Sequence, residues 1–236
     1  MNDMASTDLQ KQAESTENSE TAPQQEFQFS GELALLSERG SLAAENISLL
    51  VSEILSRHIQ SSRRGLSFCT TSRGSGCSYL AANVAVGMAM AGVRTLVVDA
   101  NLRDPQLGKY IIAEEEGPGL LQCIEQSGTT LQDAVKADVL PNLSVLYAGG
   151  RSADAGLFAS NEARSVFSEA LRSYDCTIID TAPSNQSADA LRVANMVRYA
   201  LVIARKNHTY VNDMKKLIAD IRQNRGEVLG TYLNEL

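Results

Sequence analysis

The chain has 236 residues, of which 44% are hydrophobic and 21% charged, and its formal net charge is −7. This length fits one domain with a sizeable core plus a tail, and the acidic balance excludes a general nucleic-acid-binding surface, which needs a basic field. The four cysteines lack paired spacing, so they are expected to be free thiols in a reducing cytosol. The sequence contains no His/Cys/Asp cluster, so we predict no zinc-type metal site.

The first 30 residues are rich in Gln, Glu, Ser, Thr and Asn and poor in aliphatic side chains. Such a segment cannot bury enough apolar surface to offset the entropy of ordering, so residues 1–30 are predicted to form a disordered tail. The chain does not open with a charged segment followed by an apolar core, and no apolar run reaches the roughly 18–20 residues that span a bilayer. We therefore expect a cytoplasmic protein that reaches a membrane only through a partner.

Residues 31–236 are predicted to form one domain in which strands and helices alternate. Apolar residues at helical spacing predict a first helix over 42–59, and from residue 66 short apolar runs alternate with amphipathic segments. Strands are predicted at 66–71, 95–99, 143–147, 177–180, 200–204 and 228–233, and helices at 78–91, 119–126, 131–136, 161–173, 187–197 and 210–224.

The strand pattern predicts the fold class. Continuous apolar runs at 96–98 and 201–203 indicate strands buried on both faces, as in a parallel sheet covered by helices. We expect an α/β fold with a three-layer, doubly wound, mostly parallel sheet of the P-loop NTPase type. Ligands of such sheets bind at the carboxyl ends of strands, where the loop 72–77, Asp99 and Asp180 are all predicted to lie.

A glycine-rich turn between the strand at 66–71 and the helix after it predicts a phosphate-binding site. The candidate nucleotide-contacting residues are Gly74, Ser75, Gly76, Cys77, Ser78 and Tyr79. The backbone N–H groups of such a loop cradle phosphates at a helix N-terminus. A working loop has lysine where Cys77 stands, and a neutral thiol cannot replace an ammonium that reaches the β- and γ-phosphates.

Two aspartates at predicted strand ends complete a magnesium–nucleotide pattern. Asp99 and Asp180, together with the Ser78 hydroxyl, are candidate Mg²⁺ ligands if nucleotide still binds. Asp180 is either such a ligand or a remnant that now caps a loop, and the sequence leaves both open. Cys77 is either an inert substitution or a redox-sensitive thiol whose pKa the helix N-terminus lowers.

Four segments carry a resemblance to a known family. They are Ala-Ala-Asn-Val-Ala at 81–85, Asn-Leu-Arg-Asp-Pro at 101–105, the segment 141–149, and Ile-Ile-Asp-Thr-Ala-Pro at 178–183. Over residues 41–236 the chain resembles the cytoplasmic domain of bacterial tyrosine kinases (BY-kinases) that accompany capsule and exopolysaccharide export, within the class of MinD- and ParA-like P-loop ATPases. The resemblance implies ATP or ADP with Mg²⁺ as cofactor and a membrane chain-length protein, the polysaccharide co-polymerase, as partner.

The chain differs from the family at several positions. These are the positions on which catalysis depends, according to the resemblance. Cys77 replaces the loop lysine, and Tyr79 replaces a Thr or Ser. Asn101 replaces a second aspartate that the family is expected to use for Mg²⁺ or for activating the attacking hydroxyl, and an amide cannot take a proton. The catalytic positions of the family are therefore occupied here by Asp99, Asn101 and Asp180. We assign none of these residues a catalytic role.

Two further features of the family are expected to be missing. The last predicted strand is not followed by a tyrosine-rich tail of the kind the family phosphorylates. The family's ring-forming Glu-x-x-Arg-x-x-Arg helix corresponds to Glu45, Ser48 and Val51, so both arginines are lost. A ring built on Glu–Arg contacts between copies of this helix is therefore in doubt. The sequence leaves open whether the chain forms a homo-oligomer of another kind.

Three hypotheses follow from these observations. The leading one is a catalytically degenerate BY-kinase-like protein that acts as cytoplasmic partner and regulator of the co-polymerase, peripheral to the inner membrane through that partner. Weak nucleotide binding stays open under this hypothesis, because one lost charge-assisted contact costs about 1.5–3 kcal/mol. The alternative is an active tyrosine autokinase or ATPase in which Arg73 or Lys109 supplies the missing charge. A MinD- or ParA-like positioning protein ranks last, because the early loop has no second lysine.

Overall fold

The computed structural model describes residues 27–115, 117–126 and 128–235. The strands in these ranges are β1 (Phe27–Phe29), β2 (Gly65–Thr70), β3 (Thr95–Ala100), β4 (Ile111–Ala113), β5 (Lys136–Leu140), β6 (Leu143–Leu146), β7 (Cys176–Thr181), β8 (Tyr199–Arg205) and β9 (Glu227–Asn234). The helices are α1 (Ala34–Ser37), α2 (Leu42–Arg57), α3 (Cys77–Met90), α4 (Leu120–Glu125), α5 (Leu131–Ala134), α6 (Asn161–Ser173), α7 (Asp189–Val197) and α8 (Val211–Gln223).

Seven of the strands form one sheet in the order β5-β6-β3-β7-β2-β8-β9. Neighbouring strands are parallel except β5 and β6, which are antiparallel. Since β3 and β8 lie on opposite sides of β2 in this order, the chain winds outward from β2 in both directions. The predicted doubly wound, mostly parallel α/β architecture is confirmed.

Alternate residues of the central strands face two different helical layers. Val97 of β3 packs in a core with α2 and α3, whereas Leu96 and Val98 pack in a second core with α4, α6 and α7. Every residue of β2, β3 and β7 is buried, because a central parallel strand is covered on both faces. The predicted three layers are therefore present.

α3, the helix after the glycine-rich loop, lies between the sheet and α2. Eleven of its 14 residues are buried, which explains its nearly uniform apolar sequence. A helix of 14 residues is too short to span the hydrocarbon core of a bilayer. None of the other helices in the described ranges has the length and apolar character needed to cross a membrane either.

The folded part of the chain begins earlier than the sequence predicts. β1 pairs antiparallel with β4, with Phe27 opposite Ala113 and Phe29 opposite Ile111, and both phenylalanines pack against the core. The predicted tail over 1–30 is therefore wrong at 27–30, because aromatic side chains in a polar segment find apolar partners far along the chain. Residues 1–26 lie outside the described residues, and there the tail stays a prediction.

The segment after α5 also differs from its sequence-based prediction. The helix predicted over 131–136 ends at Ala134, and Lys136 begins the edge strand β5. β5 pairs antiparallel with β6 and buries Val139. Periodicity over so few residues fits either state, and pairing with β6 selects the strand.

Candidate functional site

The loop between β2 and α3 has the strand–turn–helix layout that the sequence predicts. β2 ends at Thr70 and α3 begins at Cys77. Gly74 and Gly76 have φ values of +74° and +83°, a left-handed conformation that glycine adopts without steric cost. A Cβ at Gly76 would also collide with the side chain of Asn234. The glycines therefore allow both the turn and a close contact with the end of β9.

The loop forms one wall of a cavity of about 310 Å³. All the candidate nucleotide-contacting residues, 74–79, line this cavity, and Asn101 from the segment after β3 lines it too. Further lining residues come from the family-like segments, namely Asp104, Thr181 and Pro183, whereas Gln106 and Tyr110 lie outside every sequence motif. Its volume lies at the lower end of the range for small-molecule sites, about 300–1,000 Å³.

The Cys77 side chain is buried rather than directed to solvent. It is 7% exposed, and its Sγ–H donates to the backbone carbonyl of Phe68 at 3.4 Å. Burial and the neighbouring Asp180 carboxylate raise the pKa of the thiol well above its usual value. The alternative in which the helix N-terminus lowers this pKa is therefore wrong, and the position that holds lysine in a working loop carries no charge.

Asp180 is a buried carboxyl group near the end of β7. Neither of its oxygens has a hydrogen-bond partner among the described residues, and the residue is fully buried. Burial raises its pKa to about 6, although the nearby Ser78 and Cys77 side chains favour the charged form. A buried anion without a partner is unfavourable, so this group is suited to hold a proton or to meet a cation.

Asp99 lies beside Asp180 in the sheet, because the two residues are in register on β3 and β7. Its oxygens accept three backbone hydrogen bonds: Oδ1 from Asn101 N at 3.1 Å, and Oδ2 from Gln106 N at 3.0 Å and Leu107 N at 2.9 Å. Burial and the adjacent Asp180 raise its pKa to about 7 despite these donors. Asp99 therefore shapes the turn after β3, which leaves less of its carboxylate for a metal ion.

Asn101 is used in the same turn. Its Oδ1 accepts a hydrogen bond from Asp104 N at 3.2 Å, and the residue is 6% exposed. Across the described ranges, no group of three or more His, Cys, Asp and Glu side chains is arranged to hold a metal ion. A Mg²⁺ ion at this site would therefore need phosphate oxygens and the Ser78 hydroxyl as well as Asp180.

Tyr79 occupies the start of α3 with its ring turned against a second tyrosine. The ring centroids of Tyr79 and Tyr110 are 6.1 Å apart in an edge-to-face arrangement, and both rings line the cavity. Burial raises the pKa of both phenols, that of Tyr110 to about 12. Two neutral aromatic side chains thus replace part of the polar wall that a phosphate site normally has.

The two cationic side chains that could supply the missing charge, Arg73 and Lys109, have side-chain partners. Arg73 Nη1 lies 3.7 Å from Asp104 Oδ2, and Lys109 Nζ donates to Gln106 Oε1 at 2.5 Å. Of the two, Arg73 lines the cavity. Arg103, which follows Asn101 in the family-like segment, instead forms an ion pair with Asp189 at 3.2 Å.

Curated proteins with similar sequences are tyrosine kinases of bacteria. The chain is 31% identical over 197 residues to the putative tyrosine-protein kinase CapB of Staphylococcus aureus. The aligned residues cover 83% of this chain and 86% of CapB. It is 28% identical over 162 residues to the tyrosine-protein kinase ptk of Acinetobacter johnsonii, which covers 68% of this chain but only 22% of that relative. The chain matches no protein-family model.

Solved structures support the same fold. The chimerical protein CapA2B2 superposes with a TM-score of 0.78 at 24% identity, covering 89% of this chain and 92% of that one. A second match is the septum site-determining protein MinD of Pyrococcus horikoshii, solved with Mg-ADP. It superposes with a TM-score of 0.54 at 18% identity, and the match covers 72% of this chain and 69% of MinD. At these identities the likeness concerns the fold alone, and that fold is the one of P-loop ATPases.

Proposed function

Because the chain belongs to the family of bacterial tyrosine kinases, we propose that it is a catalytically degenerate member. It acts as a cytoplasmic partner and regulator of the membrane co-polymerase in exopolysaccharide biosynthesis and export. The observation that carries this proposal is the Cys77 thiol, which stands at the lysine position, buried and hydrogen-bonded to the carbonyl of Phe68.

The geometry around Cys77 supports the proposed loss of phosphoryl transfer. Catalysis of this reaction depends on positioned positive charge that stabilises the phosphates as charge develops. The thiol adds no charge, and burial together with Asp180 raises its pKa. Asp180 then has no cation beside it and no hydrogen-bond partner among the described residues, and burial outweighs the favourable effect of the Ser78 and Cys77 side chains on its ionised form.

The remaining acid–base groups of the site are also unsuited to catalysis. Asn101 cannot take a proton from an attacking hydroxyl, and its amide oxygen is bound to Asp104 N. Asp99 is occupied by backbone donors. Weak binding of ATP or ADP with Mg²⁺ is part of the proposal, since the loop and the Ser78 hydroxyl remain.

Incubation of the full chain with Mg-ATP, followed by detection of phosphotyrosine and of released phosphate, tests the loss of catalysis. We expect neither product. Two variants serve as the matched gain-of-function test. Cys77→Lys restores the family's lysine, and the double variant Cys77→Lys with Asn101→Asp restores the second aspartate as well. Phosphotyrosine on the unmodified chain would overturn the proposal.

An active kinase or ATPase is the second candidate, and one observation favours it. The Arg73 side chain lies in the loop and lines the cavity, so it is placed to supply the missing charge. Among the residues that the structure describes, its side chain forms an ion pair with Asp104 alone, and 61% of that side chain is exposed. If turnover is found, Arg73→Ala should remove it, and turnover that survives this change excludes this version.

The partner and the oligomeric state form a separate part of the proposal. Ser48 donates its hydroxyl to the carbonyl of Ala44 within its own helix, and Val51 is buried against the core. Neither residue offers the charged contact that the family's ring motif implies, so we propose that the chain binds the co-polymerase without forming that ring. Co-purification with the cytoplasmic segment of the co-polymerase, with light scattering to measure the mass of the complex, tests both points.

A further inference from the structure

Three side chains from the β8–β9 edge of the sheet hold the glycine-rich loop on one side. Each donates a hydrogen bond to the carbonyl of one of three successive loop residues. The contacts are His208 Nε2 to Arg73 O at 2.6 Å, Arg205 Nη1 to Gly74 O at 2.8 Å, and Asn234 Nδ2 to Ser75 O at 3.1 Å. Since a carbonyl only accepts, Nε2 of His208 carries a hydrogen. We call Arg205, His208 and Asn234 the loop clamp.

The loop clamp determines where the loop's N–H groups point. The described residues include no cis peptide bond, and in a trans peptide the N–H of the next residue points away from the carbonyl. The N–H groups of Gly74, Ser75 and Gly76 therefore point away from the clamp. None of the described residues accepts a hydrogen bond from them. Unpaired N–H groups beside a cavity are an anion-binding arrangement.

An independent observation directly behind the cavity wall points to a cation that accompanies the anion: Asp180 does not line the cavity, but its neighbours Cys77 and Ser78 do. The Asp180 carboxylate is fully buried without a hydrogen-bond partner and lies against the Cys77 and Ser78 side chains at the start of α3. Phosphate groups are commonly bound together with Mg²⁺, which takes carboxylate and hydroxyl oxygens as ligands. The site keeps donors for phosphates and a carboxylate for their metal ion, although the lysine is absent.

We propose that Arg205, His208 and Asn234 are positioning residues for a diphosphate or triphosphate group. They hold the loop so that its backbone N–H groups, rather than an ammonium, bind the phosphates. The clamp residues contact the loop carbonyls and not the ligand. The inference rests on the proposed function, because it accounts for the weak nucleotide binding that a degenerate loop is expected to retain.

Titration calorimetry of the full chain with pyrophosphate, ADP and ATP, each with Mg²⁺, tests this inference. Arg205 is half-buried and His208 is exposed, so both can be truncated without opening the core. We expect Arg205→Ala to weaken pyrophosphate binding about tenfold and His208→Ala severalfold. Similar losses for pyrophosphate and for ADP would place the effect on the phosphates, whereas a loss confined to ADP would contradict the proposal.

Two variants separate positioning from a plain charge effect. Arg205→Gln keeps a donor for the carbonyl of Gly74 but removes the charge, so it should recover most of the affinity that Arg205→Ala loses. Lys206→Ala removes an adjacent charge whose partner is Glu235, and it should leave the affinity unchanged. Thermal unfolding of every variant should stay close to that of the unmodified chain.

Each outcome gives a decision. A loss in Lys206→Ala equal to that in Arg205→Ala, or no recovery in Arg205→Gln, would overturn the positioning role. An unmodified chain that binds none of the three ligands would overturn the inference and leave the proposed loss of catalysis intact. Phosphotyrosine formation would overturn the proposed function, while the clamp variants would still report on phosphate binding.

Discussion

Replacing Asp180 by Asn should change how the stability of the protein depends on pH. The pKa of this carboxyl is raised from 3.8 to about 6, mainly by burial. In the unfolded chain it ionises near 3.8, so between pH 4 and 7 the folded state binds more protons than the unfolded state. The contribution of Asp180 to the free energy of unfolding therefore falls as pH rises through this window, and it reaches its full destabilising value above pH 7.

The size of the effect follows from the shift. One pKa unit corresponds to 1.36 kcal/mol, so a shift of about two units corresponds to on the order of 3 kcal/mol at pH 8. This value belongs to the Asp99–Asp180 pair, because removing the Asp180 charge also lowers the pKa of Asp99. Asn has the same shape and no charge. The free-energy difference between Asp180→Asn and the unmodified chain should therefore become more favourable to the variant by about that amount between pH 4 and pH 8. A constant cost of the buried amide does not alter this slope.

Urea unfolding followed by circular dichroism at pH 4, 5, 6, 7 and 8 measures the difference. Asp175→Asn is the matched control, because Asp175 is exposed just before the same strand. Its profile should parallel that of the unmodified chain. Parallel profiles for Asp180→Asn as well would refute the inference that Asp180 is a destabilising buried anion, and would mean that it has a charge partner in solution.

Three further predictions concern the loop and the core. Cys77→Lys should raise Mg-ATP affinity ten- to a hundredfold by calorimetry, because a charge-assisted contact contributes about 1.5–3 kcal/mol. Gly76→Ala should lower the free energy of unfolding by about 1–3 kcal/mol in urea, since it requires φ near +83° and a collision with Asn234. His58 should oppose Asp180 in the same pH window, because burial lowers the pKa of His58 to about 4 and the neutral ring is bound to the carbonyl of Gly65 at 2.9 Å. Its contribution to the free energy of unfolding therefore falls as pH drops from 6.5 towards 4, so the free-energy difference between His58→Gln and the unmodified chain should shift in favour of the variant over this range.

The controls for these predictions come from the same chain. Cys77→Ala keeps the site uncharged, so an affinity gain equal to that of Cys77→Lys would show that bulk rather than charge limits binding. Gly230→Ala adds a methyl group where no atom lies within 4 Å, and it should be neutral. A Gly76→Ala variant as stable as Gly230→Ala would contradict the steric argument. An unchanged acid profile in His58→Gln would mean that other groups control that transition.

The sequence predicted most of the fold because the relevant signals are local. Apolar runs and helical periodicity placed β2, β3, β7 and α6 within one or two residues of their positions in the structure. The errors fall on short elements whose state depends on a partner strand. β1 forms because Phe27 and Phe29 meet β4, and β5 forms because it pairs with β6. No local pattern encodes those pairings.

For the candidate site, the sequence by itself identified the glycine-rich loop, the missing lysine and the two strand-end aspartates, since each is a residue type at a motif position. Only the tertiary structure decided what those residues can do. It buries the Cys77 thiol, occupies Asp99 with backbone donors and leaves Asp180 without a partner among the described residues. It also brings Arg205 and Asn234 to the loop from the far end of the chain. The reason is physical: charge state and loop shape depend on burial and on contacts between distant segments, and spacing along the sequence does not specify them.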